Sequence, residues 1–159
     1  MLKGIWFFGM SGAGKTYSSN YIFNKINNKK SILIDGDLTR EYINFDSGYN
    51  IKDREIVIKR NFGLAFICIA SGCFPIVCSV YMNNSIATKA IKNKIRLINI
   101  TRDMNDVIKN SPVYKNDKDV VGINFHYPKF YFEVKKIKNT LDQKYIDTLN
   151  DIVDEIKSN

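Results

Sequence analysis

The chain has 159 residues, of which 45% are hydrophobic and 25% charged, the make-up of one soluble domain with a core of ordinary size. Its net charge of +8 suits anionic partners. A nucleic-acid-binding surface is not indicated, because 19 of the 24 basic residues are lysines dispersed along the chain and no basic stripe is interleaved with aromatics.

The N-terminus carries one lysine and then GIWFF, with no small-residue cleavage site. It reads as a first buried strand, Gly4–Phe8, and not as a signal peptide. The stretch GMSGAGKT follows, spaced as G-x-x-x-x-G-K-[ST], with Gly9, Ser11, Gly12, Ala13, Gly14, Lys15 and Thr16 as a phosphate-binding loop. Consecutive backbone N–H groups must turn inward at phosphate oxygens there, and glycine permits the backbone angles and the close approach. Lys15 would reach the β- and γ-phosphates of ATP, and Thr16 would ligate Mg²⁺. A helix over 15–27, with Tyr17, Tyr21, Ile22 and Ile26 at helical spacing, would add its positive end.

A second strand, Ser31–Ile34, ends in DGDLTR, two carboxylates flanking a glycine with an arginine three residues beyond, for which a loop of solvated charges is the plain alternative. Ligands of parallel sheets bind beyond the carboxyl ends of strands, so these residues are site candidates. Of Asp35 and Asp37, one can orient the metal through water while the other accepts a hydroxyl proton. Arg40 can fork onto an anionic acceptor. In GYNIKDREIVIKR, Asn50 or Asp53 can cap the next helix, placed at about 51–71. Arg54 in its first turn opposes the helix dipole, consistent with service to an anion or with an ion pair to a neighbouring acid.

Phe62–Val80 is uncharged over 19 residues, long enough to span a bilayer, but Ser71-Gly72 and Pro75 interrupt it. A helix ending near Gly72 and a strand Phe74–Val80 explain the same run. Cys68, Cys73 and Cys78 lie in this apolar company, without a C-x-x-C and far from His126. They read as core residues of a reducing compartment and not as a zinc site. A helix at 85–92, a strand at 95–100 and a short helix at 104–110 come next. KNSPVYKNDK, 109–118, lacks an apolar period and reads as a mobile loop. A fifth strand is expected at 130–134, before the cluster Lys135, Lys136, Lys138. Leu141, Tyr145, Leu149, Ile152 and Ile156 mark a packed amphipathic helix over 141–157. Alternating strands and helices imply an α/β fold, with a parallel sheet of about five strands and helices on both faces.

GMSGAGKT after one strand, DGDLTR after the next and GY-x₃-DR opening the following helix resemble the adenylylsulfate kinase family over about residues 4–80. A weaker match continues through VVGINFHY. The resemblance implies a three-layer P-loop kinase in one domain, 1–159, with a lid around 109–124. It also implies transfer of the ATP γ-phosphate to the 3′-hydroxyl of a small nucleotide, with Mg²⁺. Asp37 would be the base, Arg40 and Arg54 the acceptor clamp, Tyr49 a base-stacking aromatic, and Lys109 the lid's ATP-binding cation. A cytoplasmic enzyme, homodimeric and without membrane or nucleic-acid partners, is the corresponding expectation. The departures gather at the acceptor: Val57 replaces a substrate-contacting asparagine, Ser79–Met82 replaces F-I-S-P, and Val120 replaces a second stacking phenylalanine. Such losses change substrate preference. Cytidine diphosphoramidate, the acceptor of a relative in capsule biosynthesis, is therefore expected ahead of adenylyl sulfate. A nucleotide-binding switch with no acceptor is a more distant alternative.

Overall fold

The run GIWFF is buried at every residue, because its strand, β1 (Gly4–Phe8), lies at the centre of a sheet covered on both sides. The computed structural model describes residues 1–26, 30–110, 114 and 120–158. Beside β1 run β2 (Ser31–Ile34), β3 (Phe74–Ser79), β4 (Ile95–Thr101) and β5 (Lys135–Lys138), in the order β2-β3-β1-β4-β5, with every neighbouring pair parallel. Side chains of a strand alternate between faces. Ile5 and Phe7 accordingly join one core with Ile22, Leu149 and Ile152, while Trp6 and Phe8 join the other with Ile58, Ala65 and Met82. The result is three layers. Helices α1 (Lys15–Lys25) and α6 (Gln143–Ser158) lie on the first face, α3 (Ile51–Ala70) and α4 (Asn84–Lys92) on the second. Two short helices, α2 (Gly36–Tyr42) and α5 (Met104–Asn110), follow β2 and β4.

Two expectations change and one alternative falls. DGDLTR is not a loop: the Asp35 side chain caps α2, accepting from the backbone N–H of Asp37 and Leu38. The fifth strand is not 130–134 but the basic cluster itself, Lys135–Lys138, of which only Ile137 is buried. Lysine on an edge strand discourages pairing with another sheet, and one inward side chain leaves no apolar run to recognise. Phe130 instead meets Phe8 edge-on, with ring centroids 5.6 Å apart, and helps roof the second core. Finally, the stretch 109–118 begins inside α5, which runs to Asn110. Half of the expected lid, residues 111–113 and 115–119, lies outside the described residues.

The uncharged run 62–80 divides into the end of α3, a turn with Gly72 at φ 74°, and β3. Among the described residues no helix is long and apolar enough to cross a membrane. Asn50 is the residue that caps α3, accepting from Asp53 N–H.

Candidate active site

The loop between β1 and α1 is held from behind. A Cβ on Gly9 would collide with the Ile100 carbonyl on β4, and one on Gly14, at φ 100°, would collide with the Asn139 carboxamide. Those two glycines let the loop lie flat against the sheet ends. Asn139 Nδ2 donates to the Ala13 carbonyl at 3.0 Å, Tyr114 Oη donates to the Ser11 carbonyl at 2.8 Å, and Ser18 pairs with Tyr145 of α6 at 2.5 Å. Three side chains from outside the loop and α1 thus brace it.

Lys15 is 8% exposed, and its Nζ donates to the Met10 carbonyl at 2.8 Å, folding the side chain over its own loop. Burial lowers its pKa to about 8, against the attraction of Cys78, Asp37 and Asp35. Thr16 Oγ1 donates to Asp35 Oδ2 at 3.4 Å. Burial acts to raise the Asp35 pKa, but hydrogen bonds from Cys78, from the backbone of Leu38 and Asp37, and from Thr16 outweigh it. The carboxyl stays below its ordinary value. A hydroxyl beside an ionised carboxylate is an oxygen-only donor set, which fits a hard cation such as Mg²⁺.

Two cavities open at the sheet's carboxyl edge. One, of about 250 Å³, runs along the loop past Lys15, Thr16, Asp35 and the exposed Asp37. The other, of about 520 Å³, contains Arg40, Tyr49, Arg54 and Val57. Ser11, Gly36, Ser79 and Val80 line both, so the cavities adjoin. Arg40 reaches its position by donating to the Ser47 and Gly48 carbonyls, at 3.1 and 2.7 Å. Arg54 is only 8% exposed and donates from Nε to the Tyr49 carbonyl at 2.7 Å. The Tyr49 ring meets both guanidiniums, its centroid 4.3 Å from Arg40 Cζ and 5.7 Å from Arg54 Cζ, and stays 61% exposed. Val120, Ser79, Val80 and Tyr81 also line the larger cavity, whereas Met82 is fully buried in the second core and does not line it. Lys109 is exposed at the end of α5 and lines neither cavity. His126 is likewise exposed and apart from both.

Sequence reasoning missed four participants. Asn139 follows β5 immediately, so the strand-end rule would have found it had the strand been placed correctly. Cys78 near the end of β3 is a core residue as expected, but its thiol also donates to Asp35 Oδ2 at 3.0 Å and the residue lines the smaller cavity. Tyr114 lies in the stretch read as a loop, and Asn61 on α3 carries no sequence signal of its own.

A parallel α/β sheet with a glycine loop and helix after β1, and a carboxylate capping the turn after β2, defines a phosphate-binding-loop nucleotide protein. The adenylylsulphate kinase family model matches residues 2–123, and the chain belongs to that family. It is 36% identical over 59 residues to the adenylyl-sulfate kinase of Halothermothrix orenii, covering 36% of this chain and 32% of that one. It is 30% identical over 103 residues to the adenylyl-sulfate kinase of Buchnera aphidicola, covering 62% and 49%. The matches thus span a third to a half of the length of these curated relatives. The fold is similar to that of the Mycobacterium tuberculosis APS kinase CysC in complex with AMPPNP and APS. Its TM-score is 0.84 over 98% of both chains, at 18% identity.

Proposed function

We propose that this chain transfers the γ-phosphoryl group of ATP to the ribose 3′-hydroxyl of a small nucleotide whose phosphate end carries an extra group. The carrying observation is the pair of adjoining cavities, one built for a phosphate chain and one holding two arginines. A switch that only binds and releases nucleotide needs no second anion site.

In this reading the triphosphate lies along Gly9–Thr16, and Lys15 leaves the Met10 carbonyl to neutralise the transferring group. Thr16 and, through water, Asp35 would hold Mg²⁺, which would supply charge neutralisation on the phosphates. Arg40 and Arg54 clamp the acceptor's phosphate. The hydroxyl oxygen forms its bond to the γ-phosphorus as the bond to the ADP oxygen breaks, and Asp37 takes the hydroxyl proton. Asp37 suits that role because it is exposed at the cleft and makes no cap bond, whereas Asp35 is committed to the α2 backbone.

For the acceptor, adenylyl sulfate now comes before cytidine diphosphoramidate, reversing the expectation from sequence. Both relatives described above are named for adenylyl sulfate. The cytidine compound stays as the second reading on one observation: Val57, Ser79, Val80, Tyr81 and Val120, where the chain departs from the family pattern, all line the acceptor cavity. The test is ATP turnover with adenylyl sulfate, cytidine diphosphoramidate, AMP, CMP or no acceptor, with the product's phosphate located by mass spectrometry. One acceptor should dominate. ATP loss at the same rate without acceptor would overturn the kinase reading.

A further inference from the structure

Arg54, Val57 and Asn61 stand at i, i+3 and i+7 on α3, and all three line the larger cavity. With a rise of about 1.5 Å per residue, Asn61 lies ~10 Å along the helix from Arg54. Asn61 has no exposed surface, and its Nδ2 has no hydrogen-bond partner among the described residues. Its Oδ1 is engaged, accepting from Asn44 Nδ2 at 3.4 Å. Asn44 Oδ1 in turn accepts from Arg60 at 3.5 Å, and Arg60 forks onto Asp46 at 2.5 and 2.8 Å. A guanidinium only donates. Arg60 therefore fixes which end of the Asn44 carboxamide is oxygen, and Asn44 fixes which end of Asn61 is nitrogen. The relay leaves one N–H₂ group over, on a residue that lines the cavity together with the apolar Val57, Ile58 and Val120. Leaving a buried donor unmade forfeits its hydration, so such a group in a ligand cavity points to a ligand acceptor atom.

We propose that Asn61 is the specificity-determining residue of this cavity, donating from Nδ2 to a ring nitrogen or carbonyl oxygen on the edge of the acceptor's nucleobase. The inference rests on the nucleotide-acceptor reading above. Arg40 and Arg54 hold the anionic end. Two turns along the same helix, apolar lining residues and one neutral donor suit a heterocycle. Because the cavity reads the base with a donor, a base presenting only donors at that edge is rejected with Nδ2 left unpaired.

The experiment is calorimetric titration of the full chain with AMP, CMP and ribose 5-phosphate, with AMPPNP and Mg²⁺ filling the donor site, beside acceptor turnover. Asn61→Asp exchanges the donor for an acceptor and keeps an oxygen for Asn44. Asn61→Leu removes both polar atoms. Both variants should bind the better nucleoside monophosphate at least tenfold more weakly and raise the acceptor KM to match. The KM for ATP and the affinity for ribose 5-phosphate, which has no base, should stay within twofold. Unchanged nucleotide affinity in both folded variants overturns the inference, even if the protein is an active kinase. An equal loss for ribose 5-phosphate also overturns it, because the role is then structural. A wild-type protein that phosphorylates no nucleotide, yet loses base-dependent binding on mutation, overturns the kinase reading and leaves Asn61 as the base reader. Binding of neither nucleotide by the wild type overturns both.

Discussion

The Cys78 thiol donates to Asp35 Oδ2 across 3.0 Å, joining the end of β3 to the residue that follows β2. The same oxygen receives Thr16 Oγ1, while Oδ1 is occupied by two backbone N–H groups. Burial, and then the bond to Asp35, push the thiol's pKa up to about 11, so near neutrality it is a donor and not a thiolate. Cys78 thus orients the carboxylate from behind, leaving it to face the cleft. Outer-shell partners of a ligating carboxylate tune metal affinity by roughly 10–100-fold. Cys78→Ala is expected to raise the Mg²⁺ concentration for half-maximal turnover about tenfold, with turnover at saturating Mg²⁺ little changed. Cys78→Ser, which keeps a donor, should stay close to wild type. A magnesium titration of the three proteins decides it, and equal half-saturation in all three removes the positioning role.

Asp35 and Asp37 are two residues apart but differently employed, so their substitutions should differ. Asp37→Asn retains the size of the side chain and removes the carboxylate proposed as the base. Turnover should fall roughly a hundredfold or more, while AMPPNP affinity measured by titration remains that of the wild type. Asp35→Asn keeps one oxygen for the α2 cap but loses the charge beside Thr16, so it should weaken metal-dependent nucleotide binding as well. Full turnover by Asp37→Asn refutes its assignment as base.

What the sequence made legible was the part specified by local chemistry. Gly9 and Gly14 are demanded by backbone contacts with Ile100 and the Asn139 side chain, and the apolar run before them fills a central strand. Of the two candidate caps of α3, Asn50 and Asp53, the structure uses Asn50. What stayed hidden depends on tertiary neighbours. β5 has one buried residue, so it looked like a solvated lysine cluster, and misplacing it concealed Asn139 at its end. α2 has seven residues and is set by its Asp35 cap, too short to show a period. Asn61 matters only because Asn44, in the loop before α3, decides which way its carboxamide faces, and Asn44 is itself set by Arg60, the neighbour of Asn61 on α3.

Lys15 gives a pH prediction. Its pKa in the free protein, about 8, lies below the ordinary 10.5 because the amine is buried. Between these values the unfolded chain holds the proton and the folded chain does not. Folding stability from this group therefore rises with pH through about 8 to 10.5, and below 8 the cost of burying the charge is fully present. A polyphosphate beside the amine restores the proton. Nucleotide binding should thus take up on the order of half a proton or more at pH 8.5, and weaken as pH rises from 7 to 9.5. Calorimetry in buffers of different ionisation enthalpy measures the uptake. Lys15→Met should abolish it together with transfer; uptake that persists in Lys15→Met assigns the titration to another group.

Asn139 links the two ends of the site's scaffold. Its Nδ2 donates to the Ala13 carbonyl at 3.0 Å, and its Oδ1 accepts from Leu141 N–H at 3.1 Å, with the residue only 4% exposed. Asn139→Ala strands both backbone groups. Each lost partner of a buried group costs about 1–3 kcal/mol, and for a chain of this size that corresponds to a fall in Tm of roughly 5 °C or more. The phosphate loop also loses its brace against the residue that follows β5, so AMPPNP affinity should drop along with stability. Asn139→Asp separates the two effects. It keeps the bond from Leu141 but sets an oxygen against the Ala13 carbonyl, so nucleotide affinity should fall more than Tm. Thermal unfolding with and without AMPPNP reads both quantities. If Asn139→Asp binds AMPPNP as tightly as wild type, the brace does not shape the loop for phosphate, and Asn139 serves only to turn the chain into α6.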